Sequence, residues 1–253
     1  SRFAAWEILQ AVGGGAYCEV AMDRIFEKYH LSVIDKALAT ELACGSIRQR
    51  KFLDCWIDDL AKIPSIKQPP LLRWLLHIGL YQIFFMDRIP VSAAVNTSVE
   101  LAKKKKLGRL APVINAVLRQ AIRSRDAGKN FHCTKDKVVS LACNYSIPTW
   151  LAKELIAWQG EEKAEYIART FNCVPSIDLR INRQRANLMS VQKSLSHAGI
   201  ESKLIEGAPD GLQITSGSGD VRLWPGYLEG QWSVQDRSAQ WIGTLMGAIP
   251  GKS

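Results

Sequence analysis

The sequence predicts a mainly α protein: an N-terminal all-α helical bundle followed by a small α+β segment. Three observations predict it. Apolar residues recur at helical spacing from Phe3 to Ile122, with no strand pattern among them. A polar, Gly-containing stretch, Asp126–Thr134, then interrupts the periodicity. Beyond it, Ile177-Asp-Leu179-Arg-Ile181-Asn182 alternates strictly, as a half-buried strand does, and turn residues punctuate the chain from there to Gly230.

The helices come in order. Phe3, Trp6, Ile8 and Leu9 share one side of a first helix that ends at Gly13-Gly14-Gly15. Val20, Ile25 and Phe26 mark a second, closing near His30. Ser32 is placed to cap a third, with Asp35 three residues on as a partial capping box. Apolar residues then recur from Leu38 to Leu60, too long a span for one straight helix, so a break is expected near Arg48–Lys51. Pro69-Pro70 opens Leu71–Phe85, which is apolar on most sides and reads as the central helix of a bundle. Two more helices are expected over Ser92–Lys105 and Leu110–Arg123, separated by Gly108. Asn115, Arg119 and Arg123 lie four apart and form one polar stripe.

Short helices are expected over 135–143, 148–158 and 161–171, and then the strand 177–182 with Arg180 and Asn182 on its polar face. Asn187 can cap a helix that Gly199 ends. Strands are expected at Lys203–Ile205 and Leu212–Thr215 around a Pro209-Asp-Gly turn, and again at Val221–Trp224. Asp236 is placed to cap a last helix, 237–246.

The formal net charge is +9. Residues 1–130 hold 20 Lys+Arg against 12 Asp+Glu, while the rest of the chain is nearly balanced. The excess is densest in 101–125, where Lys103, Lys104, Lys105, Lys106, Arg109, Arg119, Arg123 and Arg125 meet no acid. Such a stripe favours a polyanion, the alternative being a solvated helix face. A membrane surface is disfavoured, since no long amphipathic terminal helix accompanies the charge. The most apolar run, Leu71–Met86, is too short to span a bilayer and is interrupted by Arg73, His77 and Gln82. The six cysteines form no Cys-x-x-Cys pair, and no His sits at ligand spacing from them. The reading is of buried thiols in a reducing compartment, with no metal and no signal peptide. Trp6, Trp56, Trp74 and Trp150 fall on apolar helix faces and read as core, as does His77. Trp232 and Trp241 are expected to expose apolar surface.

Several strings together carry a resemblance. Asp35-Lys-Ala-Leu-Ala-Thr-Glu-Leu-Ala-Cys-Gly-Ser-Ile-Arg48, Gly79-Leu-Tyr-Gln82, Arg88-Ile-Pro90 and Val113-Ile-Asn-Ala-Val-Leu-Arg119 resemble the helical NusB domain. Pro148-Thr-Trp-Leu151, Leu179-Arg-Ile-Asn182, Leu223-Trp-Pro-Gly-Tyr-Leu-Glu-Gly230 and Val234-Gln-Asp-Arg-Ser-Ala-Gln240 resemble the segment after it in the NusB-domain ribosomal RNA cytosine-C5 methyltransferases, the RsmB (Sun/Fmu) group. The resemblance implies a NusB-like RNA-binding domain over 1–128, a linker and short helix over 129–144, and an α+β pre-catalytic RNA-binding segment over 145–236. Residues 237–253 would be the truncated start of the methyltransferase domain. It further implies S-adenosylmethionine in a Rossmann-like domain and two catalytic cysteines, all beyond this chain's last residue. None of the six cysteines matches a catalytic position, so the chain is expected to lack catalytic residues, cofactor and metal of its own. Pro250-Gly-Lys-Ser253 shares the ending of a P-loop but lacks its upstream glycine.

The expected function is the RNA-binding N-terminal part of a 16S-type rRNA methyltransferase, with ribosomal RNA and its own missing C-terminal domain as partners. The expected location is the cytoplasm, a plastid being the alternative. The rival reading is a non-enzymatic NusB-type factor in transcription antitermination, or a scaffold paralogue. The expected RNA contacts are Arg48, Arg50 and Lys51 at the helix break; Lys103, Lys104, Lys105, Lys106, Arg109, Arg119 and Arg123; and Arg180 with Asn182. For the last pair a structural role stays open, Arg180 bridging Asp178 or Glu206 and Asn182 closing a turn. Asp236 and Ser238 would shape the parent's cofactor site.

Overall fold

The structure, a computed structural model, describes residues 1–105, 107–129, 136–173, 175–217 and 219–247. Lys106, His132, Cys133 and the 250–253 ending lie outside the described residues. The chain forms two compact units, residues 1–173 and 174–253.

The described residues of the first unit form helices α1 (Arg2–Gly13), α2 (Cys18–Tyr29), α3 (Val33–Arg48), α4 (Arg50–Leu60), α5 (Pro70–Phe85), α6 (Val91–Lys104), α7 (Ala111–Asp126), α8 (Lys137–Asn144) and α9 (Thr149–Phe171), with no strand among them. Local chemistry sets the ends. The Asp35 backbone N–H donates to Ser32 Oγ at 3.2 Å, and the Ser32 hydroxyl donates to the Asp35 carboxylate at 2.8 Å. The expected break falls at Gln49, between α3 and α4. Gly160 takes φ 76°, which divides α9 into the two halves expected from sequence.

α5 is the centre. Eleven of its 16 residues are buried, from Leu72 to Ile83, which only a helix wrapped by neighbours can achieve. Gly45 and Gly79 make the close approaches. A Cβ on Gly45 would lie 2.1 Å from Tyr81 Cζ, and one on Gly79 would lie 2.7 Å from Leu118 Cδ1. Any side chain there would push α3 or α7 away from α5.

One buried polar cluster crosses this core. Asp54 on α4 accepts from Arg73 Nε at 2.7 Å and from Arg73 Nη2, and it pairs with His77 Nε2 at 2.8 Å. Burial would raise the Asp54 carboxyl, but the hydrogen bonds from His77 and Arg73 and the Arg73 charge outweigh it and hold the group at about 2. Burial lowers His77 against the pull of Asp54, so the imidazole is neutral and Nε2–H donates. His77 Nδ1 is buried without a hydrogen-bond partner among the described residues.

α8 and α9 belong to this helical unit, not to the sheet of the second. The Ser146 hydroxyl donates to the Arg48 carbonyl at 2.9 Å and accepts from the Lys51 N–H at 3.1 Å. Gln49 Nε2 donates to Asn172 Oδ1 at 2.8 Å. Cys55 on α4 and Cys143 on α8 form a disulfide, which corrects the expectation of six buried thiols. Cys18 and Cys44 face each other at 3.9 Å, and Cys173 is exposed. Trp150 is also a correction. It is 67% exposed, because the first half of α9 turns Ala152 and Leu155 inward and leaves residue 150 on the opposite side.

The second unit contains β1 (Asp178–Ile181), α10 (Leu188–His197), β2 (Glu201–Ile205), β3 (Ala208–Ser216), β4 (Trp232–Val234) and α11 (Arg237–Leu245). Its strands form one antiparallel sheet in the order β2-β3-β1-β4. β1 and β2 are therefore joined through α10 across an intervening strand, a split β–α–β unit. Leu179, Ile181 and Leu212 from the sheet and Val191 and Leu195 from α10 make the core, which Trp224 and Trp232 close. Trp232 is 2% exposed, contrary to expectation, because it lies on β4 with its indole N–H on the Pro225 carbonyl at 2.8 Å. Trp241 is half exposed, as expected. Two strand boundaries also differ. The β2–β3 turn is Glu206-Gly207, where Gly207 takes φ 76°, and Pro209-Asp-Gly lies within β3. Val221–Leu223 is a 3-10 turn that Asp220 caps through the Arg222 N–H at 2.9 Å.

Candidate nucleic-acid interface

The basic run of 101–125 divides into charges the fold uses and charges it leaves to solvent. Lys103 pairs with Glu100 at 2.8 Å, Lys105 Nζ lies 3.6 Å from the centroid of the Phe3 ring, and Arg125 donates to the Ile83 carbonyl at 2.8 Å, capping α5. Lys104, Arg109, Arg119 and Arg123 have no carboxylate partner among the described residues. Arg119 donates to Asn115 at 2.9 Å and Arg123 to Gln120 at 2.6 Å. Both partners are neutral amides on the same helix, so they orient the guanidinium groups without cancelling their charge. Lys106 lies outside the described residues.

The helix break holds the second cluster. Arg48 and Lys51 take part in the Ser146 contacts only through their backbones. Arg50, the first residue of α4, stands over the Trp74 ring at 5.3 Å.

In the second unit, the register sets Arg180 between Gly211 on β3 and Ser233 on β4. Two small neighbours leave its guanidinium exposed on the polar face. It reaches only Gln235 Oε1, at 3.4 Å, and neither of the expected acids. Asn182 does close a turn: it donates to the Gly230 carbonyl at 3.2 Å and accepts from the Gln184 N–H at 3.2 Å. Arg180, Asn182, Arg183, Gln184, Asp210 and Ser233 line one groove of about 450 Å³. Arg183 pairs with Asp210, so Arg180 supplies its uncompensated charge. Arg183 comes directly after Asn182 and is readable as a neighbour. Ser233 enters only through strand pairing, which no local signal announces.

Asp236 caps α11 through the Ser238 N–H at 2.7 Å. The stronger anchor is Asp178, which accepts from Arg237 Nε at 2.7 Å, Arg237 Nη2 at 3.0 Å and the Ser176 hydroxyl at 3.2 Å. Burial pushes the Asp178 carboxyl up, and Arg237 pulls it further down, so it stays below the usual carboxylate range. Asp178→Ala is expected to cost about 2 kcal/mol, the scale of a charged hydrogen-bonded pair, and to loosen α11. Hydrogen exchange of the α11 amides checks this; unchanged protection would rule out the latch.

Among the described residues, no helix is long and apolar enough to cross a membrane, and no cluster of His, Cys, Asp and Glu is placed to hold a metal ion.

Residues 1–123 match the NusB family, and residues 147–222 match the Methyltr_RsmF/B-like, ferredoxin-like domain. The second match begins just before α9, within the helical unit, so the family boundary and the boundary between compact units differ. The chain is 39% identical to the Synechocystis protein named probable ribosomal RNA small subunit methyltransferase B, covering 93% of this chain and 52% of that protein. It is 29% identical to the Bacillus subtilis protein of the same name, over 90% of this chain and 50% of that one. A Pseudomonas syringae pv. tomato protein named ribosomal RNA small subunit methyltransferase B is 34% identical, over 99% and 54%. The chain thus spans about half the length of these curated relatives. The crystal structure of PH0851 shares the fold, with a TM-score of 0.68 at 19% identity, over 98% of this chain and 55% of that one. The chain thus carries a NusB-family domain and an RsmF/B-like ferredoxin-like domain in that order, and over nearly its whole length it is similar to proteins named ribosomal RNA small subunit methyltransferase B.

Proposed function

We propose that this chain is the RNA-binding N-terminal part of an S-adenosylmethionine-dependent rRNA (cytosine-C5) methyltransferase, and that it positions ribosomal RNA for methylation in the cytoplasm. One observation carries the reading. A NusB-family domain keeps a set of cations, Lys104, Arg109, Arg119 and Arg123, free of carboxylates, in a chain whose relatives are named for ribosomal RNA. Phosphates neutralise such cations with release of counterions, so binding depends steeply on salt. Arg180 in the second unit supplies a further cation for the RNA backbone, and Asn182, though its amide closes a turn, lines the same groove and keeps one N–H for a base or ribose edge.

Methyl transfer is assigned neither to the Cys55–Cys143 pair nor to Cys18. Cys55 and Cys143 are paired with each other. Burial, with Cys44 adding to it, pushes the Cys18 thiol up to about 11, so it is not a thiolate at neutral pH. S-adenosylmethionine does not fit the described residues either. Their one sheet is antiparallel and offers no Gly-rich strand-to-helix turn of the kind that cradles a nucleoside cofactor. Asp236 and Ser238 are proposed to shape the parent's cofactor site from its margin. The antitermination-factor reading accounts for residues 1–123 and leaves the match over 147–222 unexplained.

The test is Arg119→Ala combined with Arg123→Ala, bound to structured rRNA fragments across a salt series. The slope of log affinity against log salt is expected to fall by about 1.5, two phosphate contacts' worth. An unchanged slope and affinity, with unchanged helical circular dichroism, would remove α7 from the contact surface.

A further inference from the structure

A cleft in the helical unit lies where the C-terminal end of α1 meets the first residues of α4 and α5. It has a volume of about 510 Å³, within the range of small-ligand sites. Gln10, Gly13, Gly14, Arg50, Gln68 and Trp74 line it. Trp74 reads from sequence as core, and it is 5% exposed. Its ring supports Arg50 at 5.3 Å from guanidinium carbon to ring centroid. Arg50 is exposed and has no carboxylate partner among the described residues. The nearby Arg73 charge is matched by Asp54. The cleft therefore holds one uncompensated positive charge, on a flat group held against an aromatic ring.

The surrounding polar atoms are also available. Gln10 and Gln68 each use their amide nitrogen on the fold, donating to the Trp6 carbonyl at 3.2 Å and to the Ile63 carbonyl at 2.7 Å. Both amide oxygens remain as acceptors. Gly13 keeps the floor open, since a Cβ there would lie 2.9 Å from Trp74 Nε1. The N-terminal ends of α4 and α5 bring positive dipole ends to the cleft, and the C-terminal end of α1 brings a negative one, so the Arg50 guanidinium supplies its net charge.

A flat cation for stacking and two acceptors for exocyclic amino groups are the parts that hold and read a base. We propose that this cleft binds one nucleotide unit of single-stranded RNA, with the base stacked on the outer face of the Arg50 guanidinium and its edge read by Gln10 and Gln68. The inference rests on the proposed RNA-binding function and gives it a place where a single base is held.

The experiment measures binding of the full chain to a mixed-sequence RNA hexamer by fluorescence anisotropy, for wild type, Arg50→Ala, Arg50→Lys and Gln10→Leu. Arg50→Ala is expected to weaken binding about tenfold, the scale of one lost stacking contact. Arg50→Lys keeps the charge and loses the plane, so it is expected to weaken binding nearly as much with an unchanged salt slope. Gln10→Leu is expected to change the base preference of the hexamer more than its mean affinity. Wild-type binding by Arg50→Lys makes Arg50 a plain cation and overturns the cleft, while leaving RNA binding by α7 intact. AMP or UMP binding as tightly as the hexamer overturns the assignment to an RNA strand. Failure of the wild-type chain to bind any RNA at low salt overturns the proposed function and this inference together.

Discussion

Asp54→Ala is expected to destabilise the helical unit by about 3–5 kcal/mol, the range for removing one partner of a buried ion pair. The Arg73 and Asp54 side chains are 15% and 13% exposed, and the His77 side chain is fully buried. Without the carboxylate, Arg73 keeps its charge in a poorly hydrated site, and the His77 Nε2–H loses its acceptor. Asp54→Asn keeps an oxygen for one of these donors and should cost less. Urea unfolding followed at 222 nm separates the two variants, and equal midpoints for Asp54→Ala and wild type would refute the account.

The same cluster fixes a pH dependence. Asp54 is depressed from 3.8 to about 2 in the folded state. Its stabilisation is complete above the unfolded value and is lost as pH falls from 3.8 through about 2. His77 is also depressed from its ordinary 6.5, but there the protonated form is the one the fold disfavours. Below 6.5 the unfolded chain takes up a proton that the folded chain refuses, so stability begins to decline there. Asp54→Ala should flatten the acid window below about pH 4 in particular.

Loss of the Cys55–Cys143 link is the second large expected effect. The two residues are 88 apart in sequence. A loop of that length, closed in the unfolded chain, removes entropy worth about 4–5 kcal/mol in the chain-entropy account, with about 2–5 seen when native links are removed. Cys143→Ala, or wild type in excess dithiothreitol, should lower the unfolding midpoint accordingly. Native helicity should persist, because Ser146 still joins Arg48 and Lys51, and Gln49 still joins Asn172. An identical midpoint with and without reductant, together with six titratable thiols in denaturant, would exclude the disulfide.

These elements also mark what sequence can and cannot reveal. The Ser32 cap, the break at Gln49 and the division of α9 at Gly160 are legible because each depends on a few adjacent residues. The central place of α5 is legible because its apolar residues leave no polar side. The disulfide joins residues from two helices whose meeting no spacing rule gives. Trp150 and Trp232 escape sequence reasoning for the same kind of reason. A face is inside or outside only once its neighbours are known, and β4 acquires its inner side by pairing with β1. In the basic run, counting charges finds the candidates, but Glu100, Phe3 and the Ile83 carbonyl decide which of them the fold has already engaged.

The sheet order has a consequence for synthesis. β1 is made first and lies in the interior of the sheet, flanked by β3 and β4. Its latch, Arg237, arrives 59 residues after Asp178. At about 5–20 residues per second, several seconds pass on the ribosome while β1 has one open edge and Asp178 lacks its cation. β2 and β3 can zip together at once through their two-residue turn, and α10 can cover them, but the unit cannot complete its sheet before β4 emerges.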